Sequence, residues 1–327
     1  MSKILQWRWI LYVVIMLGLP FILTSCGNGG GYAGGGIGGT GSYAGGGIGG
    51  TGTYSGPVTA IGSVTVNGTK INTDSAQFTV DGITNATLND IEIGMKVVIE
   101  TANGMAETVV YESEVAGPVE MVNVGDKILE VMGQTVYVDS LAGTTTFQGF
   151  IDLANLQVGD EVTVSGLFDA DGNIHAGFIE LVTLPLQIDR VKGGVQSLDT
   201  EGRIFKLSQL TVDYNGIQDP GLQNGSFVNV EGDYQGNLTL FATTLDSDTP
   251  APPANPGWDM DIEGIITLAP PDTPSNEFEL NGQRVQINGQ TTFASGTAGD
   301  IAINVRVTVK GTVNDSGVLI AGKVEFH

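Results

Sequence analysis

The chain of 327 residues is poor in the side chains that most enzyme active sites use, with one cysteine and two histidines. The cysteine is Cys26, and the histidines are His175 and the last residue, His327. Neither histidine lies in the spacing of a Ser/His/Asp site or a metal site, and a single cysteine cannot form a disulfide within the chain. We therefore predict that the protein is not an enzyme and that packing alone stabilises it.

Positive charge is scarce as well. There are 13 lysines and arginines against 36 aspartates and glutamates, which gives a net charge of −23. Nucleic-acid binding requires clustered lysines and arginines that contact phosphates, and the sequence contains no such cluster. We therefore predict that nucleic acid is not a partner, whereas divalent cations are attracted by this charge.

Acidic residues are absent from residues 1–25, which carry Lys3 and Arg8 and then run almost purely apolar from Trp9 to Leu23. These 15 apolar residues match the hydrophobic region of a secretory signal peptide. They are too few to span a hydrocarbon core of about 30 Å at about 1.5 Å per residue. An uncleaved anchor helix that includes the flanking tryptophans is the alternative.

The apolar run ends in Leu23-Thr24-Ser25-Cys26, which resembles the lipobox of bacterial lipoproteins. The resemblance implies that residues 1–25 are removed and that Cys26 carries the lipid; an incidental cysteine in an exported protein is the alternative. One acyl chain binds a membrane only marginally, so the several chains of a lipoprotein would anchor it without a spanning segment. In that family an aspartate after the cysteine favours the inner membrane, so Gly27 and Asn28 favour the outer membrane. We expect a lipid-anchored protein of the bacterial cell envelope.

Glycine accounts for 17 of the 30 residues from Gly27 to Gly56, and the sequence YAGGGIGGTG occurs twice there. Glycine has no side chain to bury and loses the most backbone entropy on folding. Residues 26–56 are therefore predicted to form a flexible tether.

From Pro57 onward the pattern is that of short β-strands separated by glycine turns. Four internal repeats follow, each marked by an aliphatic residue, a glycine three positions later and a valine three positions after that. In the fourth repeat Asn304 replaces the glycine, and asparagine is the non-glycine residue that best tolerates a positive φ. The shared requirement is thus a left-handed turn before a strand. The four anchors are Ile91-Gly94-Val97, Leu156-Gly159-Val162, Leu222-Gly225-Val228 and Ile301-Asn304-Val307.

Each repeat is interpreted as three strands, a short helical turn at the anchor, and a two-stranded hairpin. Five strands in about 60 residues close best as a small barrel, because closure removes unpaired edges. The order is similar to an OB-fold, with a sandwich of paired hairpins as the alternative. We therefore predict an all-β protein with four tandem OB-like β-barrel repeats at residues 57–115, 116–186, 187–248 and 263–327, and a proline-rich linker at 249–262.

The repeats resemble the bacterial family called domain of unknown function 5666. The likeness is strongest in Gly117–Leu181, with its "LQVGDEVTVSG" and "DADGNIHAGFIEL", and it covers about residues 56–327. The resemblance implies tandem β-barrel units in an exported lipoprotein behind a Gly-rich leader. It supplies no catalytic residues.

Two acidic segments suggest Ca²⁺ as the one candidate cofactor. In the first, Asp169, Asp171 and Asn173 surround a glycine turn, as in the opening of a calcium loop. No glutamate closes that loop, however, and Asp-Gly is also a strong signal for a hairpin turn. Both readings stay open.

In the second segment, Asp259, Asp261 and Glu263 alternate, so on a strand they share one face. Three like charges repel, and bound Ca²⁺ would relieve this repulsion. A solvated edge strand that discourages aggregation explains the same pattern.

Binding is a more plausible activity than catalysis, because OB-like barrels commonly bind oligosaccharides or oligonucleotides. Tyr214 and Tyr234 lie between polar residues and are the candidate surface aromatics for a sugar. Two functions follow. The first is a non-enzymatic structural or protein-interaction lipoprotein, a tethered string of four β-barrels; the second is a module that binds envelope glycans, assisted by calcium.

Overall fold

The computed structural model describes residues 50–183, 186 and 188–327. These residues form 24 β-strands and three 3₁₀ turns of three residues each, so the predicted all-β fold is confirmed. No helix in this part of the chain is long and apolar enough to cross a membrane. The predicted signal peptide, Cys26 and residues 27–49 of the predicted tether lie outside the described residues.

Unit 1, residues 52–111, has seven strands: β1 Gly52–Ala60, β2 Val64–Val66, β3 Thr69–Ile71, β4 Gln77–Val80, β5 Ile83–Ala86, β6 Lys96–Ala102 and β7 Met105–Tyr111. Antiparallel pairing joins β3 to β2, β2 to β1, β1 to β6, and β6 to β7. A parallel bridge between Asn72 and Met105 closes the ring.

The tether prediction is wrong at its C-terminal end. Residues 52–56 belong to β1 and are buried. Thr53, Tyr54 and Ser55 pair with β6 on one side, so strand pairing supplies the stability that their glycine-rich surroundings lack.

Unit 2, residues 115–181, has six strands: β8 Val115–Asn123, β9 Ile128–Val131, β10 Gln134–Tyr137, β11 Thr146–Gln148, β12 Glu161–Phe168 and β13 Ile174–Leu181. Five of them close a ring of pairings in the order β8, β9, β10, β13, β12 and back to β8. The pairing of β10 with β13 is parallel, and the others are antiparallel.

Units 3 and 4, residues 189–247 and 259–326, repeat this ring. Unit 3 has β14 Asp189–Asp199, β15 Ile204–Leu207, β16 Leu210–Asp213, β17 Phe227–Tyr234 and β18 Thr239–Ser247. Unit 4 has β19 Asp259–Leu268, β20 Glu277–Leu280, β21 Gln283–Gln286, β22 Thr292–Ala294, β23 Arg306–Val313 and β24 Leu319–Phe326. The third and fifth strands of each ring are again parallel, as β16 with β18 and β21 with β24.

The predicted left-handed turn is confirmed in all four units. Its φ is 91° at Gly94, 92° at Gly159, 91° at Gly225 and 65° at Asn304. Each of these residues lies just before the fourth strand of its ring, so the repeat anchor marks one backbone requirement.

The units do not form a string. β1 lies parallel to β19, and β8 lies antiparallel to β14, so units 1 and 4 share a 13-stranded sheet while units 2 and 3 share an 11-stranded sheet. The physical reason is that a strand has hydrogen-bonding groups on both edges, and pairing first strands with one another satisfies edges that separate units would expose.

The hydrophobic cores follow this grouping for units 2 and 3 but not for units 1 and 4. Units 2 and 3 share one core cluster, to which Val115 and Val191 both belong. Unit 1 has its own cluster, completed by Phe178 of unit 2, and unit 4 has a third. Because side chains cross the unit boundaries, the described repeats behave as one packed body.

Candidate functional site

A cleft of about 490 Å³ opens where units 1, 2 and 3 meet the proline-rich linker. Its walls are β6 and β7 of unit 1, the end of β12 and the start of β17. The linker segment Thr249–Pro253 forms the remaining side, and Thr53 Oγ1 donates a hydrogen bond to the Pro253 carbonyl at 3.1 Å.

Strand alternation explains how β6 lines both a core and a cleft. Val97 and Ile99 are fully buried in the core of unit 1. Lys96, Val98 and Glu100, which alternate with them, line the cleft. With a side-chain period of two, one face of the strand builds the unit and the other faces its neighbours.

Ion pairs between units lie along the cleft. Lys96 Nζ lies 2.9 Å from Glu114 Oε1, and the Glu114 side chain is 2% exposed. Glu114 Oε2 also accepts a hydrogen bond from the Gly166 amide at 3.2 Å. Lys192 Nζ of unit 3 lies 2.5 Å from Glu112 Oε2. These contacts join the segment between units 1 and 2 to unit 3.

Both partners of the second pair are ionised at neutral pH. Burial acts to lower the pKa of Lys192, but the charges of Glu114 and Glu112 more than offset it, so this pKa is raised. Burial acts to raise the pKa of Glu112, but the hydrogen bond and charge of Lys192 lower it below its usual value.

Negative charge still exceeds positive charge in the cleft. Two lysines, Lys96 and Lys192, face four carboxylates, which are those of Glu100, Glu112, Glu114 and Asp248. An excess of carboxylates in a partly dry cavity favours a cationic ligand.

An aromatic pair supplies the apolar part of the cleft. The rings of Phe168 and Phe227 meet edge to face with centroids 5.4 Å apart. The lining residues include no serine, cysteine or histidine. The cleft therefore has the composition of a binding site.

The prediction that Tyr214 lies on the surface is wrong. Its side chain is fully buried, with its ring 5.6 Å from that of Phe205 and 4.7 Å from the Arg203 guanidinium carbon. Val212 and Tyr214 point inward, while their polar neighbour Asp213 points outward. The polar residues that suggested exposure belong to the opposite face.

Tyr234 is partly buried at the contact between units 2 and 3. Its hydroxyl donates to Glu120 of unit 2 and accepts from the Leu238 amide at 3.1 Å. Burial and the neighbouring Glu120 raise the pKa of Tyr234 to about 12. The hydroxyl that would contact a sugar thus already joins two units.

The acidic residues of β19 do share one face, as predicted, but β19 is not an edge strand. It lies between β1 and β23 in the sheet. Asp261 is 2% exposed and accepts hydrogen bonds from Lys310 Nζ at 2.6 Å and Asn67 Nδ2 at 3.0 Å.

The other two carboxylates also find partners on β23. Glu263 accepts from Arg306 Nε at 2.7 Å, and Asp259 accepts from Thr312 Oγ1 at 3.0 Å. Lys310 and Arg306 thus relieve the repulsion that suggested a metal ion, and Asp259 is held by a neutral hydroxyl.

Asp169, Asp171 and Asn173 form the hairpin turn between β12 and β13, the alternative that their Asp-Gly sequence favours. Asp169 Oδ1 accepts from the Asp171 and Asn173 amides, both at 2.9 Å. Over the described ranges, no three side chains of histidine, cysteine, aspartate or glutamate are grouped to hold a metal ion. Calcium binding stays a prediction.

The cleft residues were not identified from the sequence. Lys96, the segment Glu112–Glu114 and Lys192 come from three places in the chain and meet only because the units pack together. One signal was present: Glu112-Ser113-Glu114 is a charged junction between two repeats, where a neutral turn would suffice.

Comparison with known proteins agrees with this repeat architecture. The family model for the domain of unknown function DUF5666 matches residues 116–180, 187–246 and 263–325, which is more than half of the chain. The chain belongs to the DUF5666 family. The three DUF5666 matches coincide with units 2, 3 and 4, and unit 1 repeats their ring of strands outside the matched residues.

No curated protein matches the chain. Among solved structures, the drosophila protein titled "Unr CSD456" is similar at 15% identity over 66% of this chain and 97% of that one, with a TM-score of 0.16. A score this low carries no argument about fold or function.

Proposed function

We propose that this DUF5666 protein is a lipid-anchored interaction protein of the bacterial cell envelope. Its four OB-like barrels act as one rigid body, and the cleft between units 1, 2 and 3 binds a positively charged segment of a partner protein. The observation that carries the proposal is the acidic, aromatic-lined cleft, since its charge and composition fit a basic ligand.

The barrel interpretation is supported by the strand order. Each unit pairs its strands in the order one, two, three, five, four and back to one, and the third and fifth strands run parallel. In units 1, 2 and 4 a 3₁₀ turn precedes the fourth strand. A five-stranded barrel with a helical element at this place is the plan of the OB-fold.

Two features of the protein favour a basic ligand: the lining of the cleft and the overall negative charge. A lysine or arginine side chain entering the cleft would approach Glu100 and Asp248, and its cation would be attracted to the ring faces of Phe168 and Phe227. The overall charge of −23 would raise the local concentration of a basic partner and speed its association.

Membrane attachment through Cys26 places this surface in the envelope. We expect a Cys26→Ala variant to lose the lipid mass of the mature N-terminus and to leave the membrane fraction. Retention of this variant in the membrane fraction would contradict the anchor.

The binding proposal is tested on the full chain in mild detergent with a synthetic peptide of alternating lysine and leucine, by fluorescence anisotropy. We expect binding that weakens with salt. Glu100→Gln should weaken it about fivefold and Phe227→Ala about tenfold. Glu107→Gln, an exposed carboxylate on β7 outside the cleft, is the matched control and should change nothing.

Other outcomes discriminate between the functions. No peptide binding, or equal effects of the Glu100 and Glu107 variants, would overturn the cleft as the site. Retention on purified peptidoglycan with no peptide binding would favour the glycan-binding alternative. If that retention depended on Ca²⁺, it would also favour the predicted calcium site.

A further inference from the structure

Three side chains of unit 2, all outside the cleft, form a hydrogen-bonded chain. Ser140 Oγ lies 2.8 Å from His175 Nδ1, and His175 Nε2 lies 3.2 Å from Asp169 Oδ2. The His175 and Asp169 side chains are 7% and 6% exposed, whereas Ser140 keeps partial access to solvent. Hydroxyl, imidazole and buried carboxylate, joined in this order, are the parts of an activated serine nucleophile.

Sheet pairing brings the three residues together. His175 lies on β13, where it pairs with Tyr137 of β10, and the two rings stack with centroids 5.0 Å apart. Asp169 opens the turn just before β13, and Ser140 opens the loop just after β10. Their sequence spacing shows no motif because the contacts depend on the parallel pairing of β10 with β13.

The ionisation states suit a general base. Burial acts to raise the pKa of Asp169, but hydrogen bonds from His175 and Asn173 more than offset it, so this pKa is lowered. An ionised carboxylate only accepts hydrogen bonds, so His175 Nε2 carries the hydrogen and Nδ1 is free to accept. The Ser140 hydroxyl can then donate to Nδ1 at 2.8 Å or to the Tyr137 carbonyl at 3.3 Å, and the contact with Nδ1 is the shorter.

The other units show that the hairpin does not need these residues. In unit 4, Asn314 occupies the place of Asp169 and accepts from the Ser316 and Val318 amides at 2.9 and 3.0 Å. Ile320 there occupies the strand position of His175. The same turn thus forms with no carboxylate at the position of Asp169 and no imidazole at that of His175.

A longer loop presents the serine. In unit 2 the loop between Asp139 and Thr145 has five residues, 140–144, whereas in unit 4 the loop between Asn288 and Thr291 has two, 289–290. The loops correspond because both threonine hydroxyls donate to the carbonyl of the alanine next to the His175 position, at 2.8 and 2.7 Å. Unit 2 therefore carries three extra residues where Ser140 meets His175.

A positive charge lies beside this loop. A Cβ on Gly143 would lie 3.2 Å from Arg306 Nη1, so glycine there leaves room for the guanidinium. Arg306 binds Glu263 through Nε and Nη2. Its Nη1 lies beside the loop, and a fixed donor of this kind stabilises an anionic carbonyl oxygen.

We propose that Ser140, His175 and Asp169 form an acyl-transfer site that hydrolyses exposed esters of small acyl groups. Ser140 Oγ attacks the ester carbonyl while His175 Nδ1 takes its proton. His175 returns that proton to the alkoxide as the carbon–oxygen bond to the alcohol breaks. Water, deprotonated by His175, then attacks the acyl-serine. As the bond between the acyl carbon and Ser140 Oγ breaks, His175 returns that proton to Oγ, which releases the acid and restores the serine. The sum is ester plus water to acid plus alcohol, with no further reactant.

The small acyl group follows from the surroundings of the loop. Ala142, Leu167 and Ile265 form a compact buried cluster beside it, which leaves little room for a long chain. Leu141, which follows the serine, is 38% exposed and offers an apolar contact at the surface. This activity is independent of the cleft.

The test treats the full chain with a fluorophosphonate probe and with p-nitrophenyl acetate. We expect covalent labelling of the peptide that contains Ser140, measured by mass spectrometry, and hydrolysis of the ester. Ser140→Ala should lose both. Ser316→Ala, an exposed serine in the equivalent turn of unit 4, is the matched control and should keep both.

Two variants introduce the residue that another unit has at the equivalent position, so that the fold is preserved. His175→Phe copies Phe241 of unit 3, and Asp169→Asn copies Asn314 of unit 4. Each should slow labelling and ester hydrolysis at least tenfold without changing the thermal unfolding temperature. An unlabelled wild-type chain, or wild-type rates in His175→Phe, would overturn the proposal and leave the three residues a structural network.

Discussion

At the scale of single residues, several of the few lysine and arginine side chains form contacts between units. Arg190 of unit 3 contacts Asp81 of unit 1 and Glu231 of its own unit, and Lys310 of unit 4 reaches Asn67 of unit 1. Buried charges cost free energy unless they are paired, so each such cation specifies one arrangement of its neighbours.

Removing a cation that neutralises a buried carboxylate should lower the free energy of unfolding. Lys96→Ala leaves the buried carboxylate of Glu114 without its partner, and we expect the free energy of unfolding to fall by about 3 kcal/mol. Lys127→Ala breaks the exposed pair with Asp139 and should cost less than about 1 kcal/mol. Urea denaturation of both variants measures the difference; equal costs would mean that Glu114 is solvated.

A second residue offers a pH test. Burial, together with the charges of Asp81 and Glu92, raises the pKa of Glu180. A raised pKa in an acid means that the folded state favours the protonated form, so stability is lost as the pH rises from the unfolded value of about 4.3 through the raised pKa of the folded state.

Glu180→Gln should therefore raise the free energy of unfolding at pH 7, and the gain should vanish near pH 3, where both states are protonated. Denaturation across this range checks it, with the exposed Glu107→Gln as the control. A gain that persists at pH 3 would rule out the electrostatic cause.

At the scale of elements, the turn before the fourth strand has two roles. Gly94 and Gly159 have nearly the same φ, 91° and 92°. A Cβ on Gly159 would meet nothing within 4 Å, whereas one on Gly94 would lie 2.2 Å from the Gly177 carbonyl oxygen of unit 2. The first glycine serves the turn alone, and the second also allows two units to touch.

Paired substitutions separate these roles. Gly159→Ala should cost about 1 to 2 kcal/mol for the left-handed backbone. Gly94→Ala should cost clearly more, because it must also push unit 1 away from unit 2. Thermal unfolding of both variants gives the comparison, and equal shifts in melting temperature would show that the contact between units yields easily.

At the scale of the whole molecule, the sheet shared by units 1 and 4 depends on both ends of the described chain. Residues Gly52–Ser55 pair with Asp259–Ile262. A chain truncated after Asp248 exposes that edge of β1, and exposed edges pair with other chains. We expect the truncated protein to self-associate in light scattering, while the full chain stays monodisperse. A monodisperse truncated chain with an unchanged melting curve would contradict this.

Local requirements were the ones that the sequence predicted well. The positive φ at Asn304 and the all-β architecture follow from neighbouring residues, and both are confirmed. Interpretations that depended on contacts across the fold failed: Tyr214 was assigned to the surface, and an edge strand was one of the two explanations for the acidic residues of β19. The cleft and the Ser140–His175 contact arise from pairing between distant strands, for which one sequence carries no direct signal.

The pairing of β1 with β19 also determines the order of events in folding. Gly52 can pair only after Asp259, which is 207 positions further along the chain, has been synthesised. Contacts this distant form slowly, because the entropy of closing the loop is lost before the contact stabilises anything. As the chain is synthesised from its N-terminus, unit 1 must keep one edge open until unit 4 has emerged, so completion of the last repeat decides when the first one is protected.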